Sequence, residues 1–150
     1  MKLAEALQER ADLNRRIEQI RNRLSNNAIV QEGEEPAENP QELLVELNGC
    51  VSMLETLIFR INLTNCKTMI DGQSLTQLIA KKDCLFIRLG AYRDLVSDAS
   101  QLAHRATKTE IKIISTVNVK EIQKTVDVMS KELRLLDNQM QEMNWKTELQ

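Results

Sequence analysis

From Val119 to Met143 apolar residues recur at alternating spacings of three and four: Val119, Ile122, Val126, Met129, Leu133, Leu136, Met140 and Met143. That stepping holds them on one side of an α-helix, and such a seam needs partner helices. Asn118 marks the start, because its side chain can accept from the free N–H groups of a first turn, and Glu121 stands where it can bond back. A helix over about 119–147 follows. Residues 2–26 repeat the pattern through Leu3, Ala6, Arg10, Leu13, Ile17, Ile20 and Leu24, with Arg10 the one polar member. The rest of that helix alternates acids and bases, the usual solvated face with pairs three and four residues apart.

Two wider stripes lie between these helices. Asn39, Pro40 and Glu42 supply a cap, a proline at the first helical position and an acid in the first turn of a helix over about 40–70. Its seam is Leu43, Leu47, Cys50, Leu54, Leu57 and Ile61, widened by Leu44, Val51 and Ile58. Asp71-Gly72 reads as its C-terminal stop, so the next helix, about 75–100, should turn back as an antiparallel hairpin. There Leu75, Leu78, Lys82, Leu85, Leu89, Tyr92, Val96 and Ala99 hold the spacing, broadened by Ile79 and Phe86, with Lys82 the polar intruder. Broad stripes imply contact with more than one neighbour.

The helical period is lost in two connectors. The first, 25–39, carries Gly33, Pro36 and four glutamates, at 32, 34, 35 and 38; the second ends in the β-branched run Ile111, Ile113, Ile114 and Val117. In an up-down-up-down arrangement both connectors reach the same end. Residues 28–31 and 111–115 are therefore expected to pair there as a short two-stranded ribbon, the alternative being an irregular loop. The predicted fold is all-α: one domain over 1–150, an antiparallel bundle of four long coiled-coil-like helices with that ribbon or a loop cap.

Composition narrows the classes. Of 150 residues 42% are hydrophobic, enough for a core, while only 3% are aromatic and there are 4 Gly and 2 Pro, which suits long helices better than a turn-rich sandwich. A net charge of −2 argues against a general nucleic-acid or anionic-membrane binder. The arginines at 15, 16, 21 and 23 are diluted by neighbouring acids, and no aromatic residues interleave for base stacking. Cys50, Cys66 and Cys84 are odd in number and lack CxxC spacing, so they read as small buried apolar residues in a reducing compartment. No apolar run approaches the ~20 residues of a membrane span, and Glu5 and Glu9 interrupt any signal-like core. A cytoplasmic protein is expected.

Three stretches, NAIVQEGEEPAENPQELL at 27–44, EIKIISTVNVKEIQK at 110–124 and EMNWKTEL at 142–149, together with FRINLTN at 59–65, resemble the small bacterial septicolysin-like family. The resemblance runs nearly end to end and falls in connectors and helix ends. It implies a bacterial cytoplasmic protein of unknown function. The family name borrows from a cytolysin, yet no alternating strand here has the length of a membrane hairpin.

Enzymatic chemistry finds little footing. The single histidine, His104, excludes a His-rich metal site and the Glu-x-x-His pairs of di-iron bundles. His104, in a polar connector, is expected to be solvated. There is no Gly-rich phosphate loop and no Ser or Cys in a recognisable nucleophile context, so no catalytic residue, metal or cofactor is assigned. The connector glutamates lack the spacing of a calcium loop.

Polar residues at seam-like positions are more informative. Arg10, Arg60, Asn62, Asn65, Lys82, Asp83, Asn144 and Trp145 are expected to gather near the turn between the second and third helices. Burying them is costly unless they satisfy one another, as a polar layer that fixes register does. The alternative is an anion or ligand pocket in which Arg10, Arg60 and Lys82 supply charge and Trp145 a flat wall.

Architecture and composition together point to a non-enzymatic structural or protein-interaction protein acting as a helical homo-oligomer through its surplus apolar faces. The alternative is a small anion- or ligand-binding module using the polar layer. Membrane lysis is implied only by the name of the resembled family.

Overall fold

The computed structural model describes residues 1–101 and 111–150. Within them the chain is all-α: α1 Leu3–Asn26, α2 Pro40–Lys67, α3 Leu75–Ser100 and α4 Val119–Lys146, with the two-residue strands β1 Met69–Ile70 and β2 Gln73–Ser74 between α2 and α3. The caps sit where the side chains dictate. Asn39 Oδ1 accepts from the N–H of Gln41 at 2.9 Å, with Pro40 opening α2. Asn118 Oδ1 accepts from the N–H of Glu121 at 3.3 Å at the start of α4. α1 starts differently, on the backbone N–H of Lys2, which donates to Glu5 Oε2 at 2.6 Å.

The contacts divide the chain into two compact units. Unit 1, Met1–Ser74 with Met143–Gln150, is built on α1 and α2. Arg16 pairs with Glu46 at 2.9 Å while Arg23, further along α1, bonds Glu38 at 3.0 Å, just before α2. Rising numbers on α1 meet falling numbers beyond it, so the two run antiparallel. Their seams close on Leu3, Ala6, Leu13 and Ile20 from one helix and Leu43, Cys50, Leu57 and Ile61 from the other, all buried. On the outer face of α1, Arg15 pairs with Asp12 and Arg21 with Glu18, the latter at 2.7 Å.

Unit 2, Leu75–Glu142, is the antiparallel pair α3 and α4. Leu85 and Leu89 pack with Val126 and Met129, and Tyr92, Val96 and Leu133 lie partly buried against them. Lys82 pairs with Asp137, Lys81 with Glu132 at 3.1 Å, and Arg93 Nη2 donates to Ser130 Oγ at 3.1 Å. None of the eight seam residues from Val119 to Met143 is exposed, because the three-four stepping aims them all at one flank of the helix.

A ribbon is present, but other residues build it. β1 and β2 pair Met69 with Ser74 and Ile70 with Gln73, joined by Asp71 and Gly72 at φ +48° and +82°. Positive φ at both central residues marks a type I′ connection, whose twist matches that of paired strands. Asp-Gly thus closes a hairpin rather than ending α2, which stops at Lys67, short of the expected Ile70, with Thr68 in extended conformation as its C-cap. Residues 28–31 and 111–115 form no strand. β-branched side chains favour strands only where a paired neighbour covers them, and Ile29 and Ile111 stand exposed. The cysteines also need correcting: no disulfide joins them and Cys50 is buried, but Cys66 and Cys84 are exposed. They lie off the seam of their helices, where helical phase and not residue type sets burial.

Candidate functional site

Of the eight polar residues expected to cluster, Arg10, Arg60, Asn62, Asn65, Asn144 and Trp145 belong to unit 1, and Lys82 and Asp83 to unit 2. Arg10, Asn65 and Asn144 are half-buried, while Asn62, Asp83 and Trp145 face solvent. Lys82 is held by Asp137 inside its own unit. Arg60 Nε donates to the main-chain oxygen of Gln150 at 2.8 Å and lines an open groove of about 380 Å³ whose wall also carries Glu9. Lys82 is therefore paired with a carboxylate, while Arg60 spends its Nε donor on the chain itself.

The buried polar side chains among the described residues are two others, Thr64 and Asn27. Thr64, fully buried on the last turns of α2, donates its hydroxyl to the carbonyl of Arg60 at 2.8 Å and accepts the N–H of Gln150 at 2.9 Å. It anchors a clasp between the two ends of the chain. Leu3 N–H donates to Thr147 O and Leu149 N–H to Met1 O, both at 2.9 Å, while Lys2 and Glu148 form an antiparallel bridge. Lys2 Nζ and the Met1 amine both reach the Glu148 carboxylate. The hydrogen bond from Lys2, then that from the amine, holds Glu148 below the ordinary glutamate range. Thr64 was legible in principle, since it continues the stepping Leu57, Ile61.

Asn27 performs the matching task at the other end of α1. Its Nδ2 donates to Arg23 O at 2.8 Å, and its Oδ1 accepts the N–H of Glu38 at 3.0 Å. The Arg23 guanidinium bonds the Glu38 carboxylate and holds it below the usual carboxylate range. The acidic connector is thereby pinned to α1, and one of its four glutamates is neutralised. Among the described residues no group of three His, Cys, Asp or Glu side chains could hold a metal ion. His104 lies outside the described residues.

Apart from the half-buried Ile79, the widening positions of the seams remain uncovered. Leu44, Val51 and Ile58 on α2 are exposed, as are Val45, Met53 and Phe59. On α3 Phe86 and Ile87 are 66% and 71% exposed. On α4 Val128 and Leu135 are 67% and 55% exposed, and they floor an open groove of about 690 Å³ with Leu136, rimmed by Lys81, Lys131 and Glu132. No helix among the described residues is long and apolar enough to cross a membrane. An apolar floor with a charged rim, and no nucleophile-base pair, can bury a complementary surface.

Comparison with known proteins gives a family and a neighbour. The family whose model matches, over residues 10–149, is the Family of unknown function (DUF6847), and the chain belongs to it. Among solved structures the chain is similar to a functionally unknown conserved protein from Corynebacterium diphtheriae, at 39% identity and a TM-score of 0.95 over 100% of this chain and 99% of that one. No curated protein matches. The septicolysin-like expectation is thereby corrected: the family matched is DUF6847, and nothing in the neighbour points to a septicolysin. The connector and helix-end strings that suggested it all lie within the DUF6847 match.

Proposed function

We propose that this DUF6847 chain is a non-enzymatic, cytoplasmic protein whose role is structural or protein-interacting and which works as a helical homo-oligomer. The observation that supports it is the apolar surface left in water on α2, α3 and α4, above all Val45, Phe59, Phe86, Ile87, Val128 and Leu135. Full burial of one large apolar side chain is worth about 1.5–3 kcal/mol. A set of six, even partly covered, is then comparable with the roughly 4–15 kcal/mol lost in rotational and translational freedom on association. Scattered single apolar residues need no explanation, but rows of them on long helices mark an interface.

Sedimentation equilibrium at micromolar concentration tests this directly. The expected mass is a multiple of 17.2 kDa. A monomer across the whole concentration range would remove the self-association reading.

A further inference from the structure

The apolar floor on α4 has a symmetry of its own. Val128 and Leu135 are seven residues apart, and between them on the same side of the helix stand Lys131 and Glu132. Residues spaced by three, four and seven share one helical face. All four border the groove beside α4, and the exposed Glu132 is already steadied there by Lys81 at 3.1 Å.

Consider a second copy of α4 laid antiparallel in that groove, with a two-fold axis crossing between Lys131 and Glu132. Val128 then meets the second copy's Leu135, and Leu135 its Val128, each about 5 Å along the helix from the axis. Lys131 meets the second copy's Glu132, and Glu132 its Lys131. These four central contacts are apolar on apolar or opposite charge on opposite charge, the self-complementarity that an isologous interface requires. Next outward, Lys124 faces Gln139, a neutral partner. Like charges face each other only at Glu121 and Glu142, where a helix crossing of about 20° has already carried the backbones apart.

We infer that this face of α4 is a homodimer interface, the two copies crossing antiparallel at Lys131 and Glu132. The inference rests on the self-association reading above and names its surface and its partner, a second copy of this chain. The pattern favours that occupant over an unrelated protein because charge order on the face is complementary to itself when reversed.

The test uses charge exchange in the full chain, read as dimer affinity by sedimentation with helicity monitored in parallel. Lys131→Glu places glutamate against glutamate twice across the axis, and Glu132→Lys places lysine against lysine twice. Each is expected to weaken self-association by about a hundredfold, since like charges facing each other across an interface are costly. Mixing the two singly substituted chains should restore a heterodimer, and the Lys131→Glu/Glu132→Lys chain should dimerise on its own. Should Glu132→Lys disturb folding by losing Lys81, Lys131→Glu against the double exchange carries the same comparison.

An unchanged wild-type-like oligomer in both single variants overturns this interface while leaving self-association standing. Weakening by both without rescue in the mixture or the double variant also overturns it. A wild-type chain that is monomeric throughout overturns both.

Discussion

Thr64 illustrates how one polar atom can fix distant pieces of chain. Its hydroxyl is shared between the carbonyl of Arg60, four residues back, and the N–H of Gln150, 86 residues on. Thr64→Val preserves the shape but removes the acceptor of that part-buried bond, so a loss of about 1 kcal/mol is expected in urea unfolding, with Thr64→Ser largely sparing it. Glu148 gives the clasp a pH dependence. Its pKa is lowered in the folded chain by Lys2 and the amine, so its stabilisation is present above the unfolded value and disappears as pH falls through the folded one. Protection of the Leu3 and Leu149 amides against exchange, relative to the unfolded chain at the same pH, is therefore expected to fall on acidification below the ordinary glutamate range, and Glu148→Gln should abolish that step. Neither the clasp nor its pairs is visible along the sequence, because Met1 and Glu148 are 147 positions apart and nothing local marks them as partners.

At the scale of elements, periodic stripes were readable and special backbone conformations were not. The helix spans follow from seams and caps, and the seam residues of α4 are dry or half-dry where the stepping puts them. Asp71-Gly72 was ambiguous on chemical grounds. A left-handed residue ends a helix and also serves a type I′ turn, so the same dipeptide suits both; only the Met69-Ile70 run before it leans toward strand. Gly72→Ala isolates the backbone contribution, since a Cβ there meets nothing within 4 Å while φ stays at +82°. A destabilisation of about 1 kcal/mol is expected in thermal or urea unfolding. The exposed Cys66 and Cys84 show the complementary limit: residue type suggests burial, but helix phase decides it.

For the whole molecule, α4 is the element that belongs to both units, most of it in unit 2 and its last turn, from Met143, in unit 1. A helix propagates cooperatively once begun, so melting one part of α4 weakens the other. Trp145, in unit 1, and Tyr92, in unit 2, report the two parts separately. Their urea transitions are expected to coincide with each other and with loss of far-ultraviolet ellipticity; two separated midpoints would show that the units unfold independently. The uncovered apolar surface was legible in outline, because broad stripes on α2 and α3 and the off-seam Val128 and Leu135 exceed what a single partner helix covers. Which of these faces the proposed self-association would use depends on three-dimensional placement, and the charge order of α4 is what singles one out.

The pairing of Asn27 with Glu38 has a separate consequence for how freely this chain could vary. It draws the ends of the excursion over 28–37 together with a neck of one hydrogen bond, from the Glu38 N–H to Asn27 Oδ1, and the Arg23–Glu38 ion pair. Everything beyond the neck, including Gly33 at φ +88° with open space around it, is relieved of any duty in holding α1 to α2. The length of a loop closed in this way enters stability only logarithmically, about 0.6 kcal/mol for each doubling. Insertions between Glu34 and Glu35 are thus nearly free, whereas a change at Asn27 reaches the whole excursion.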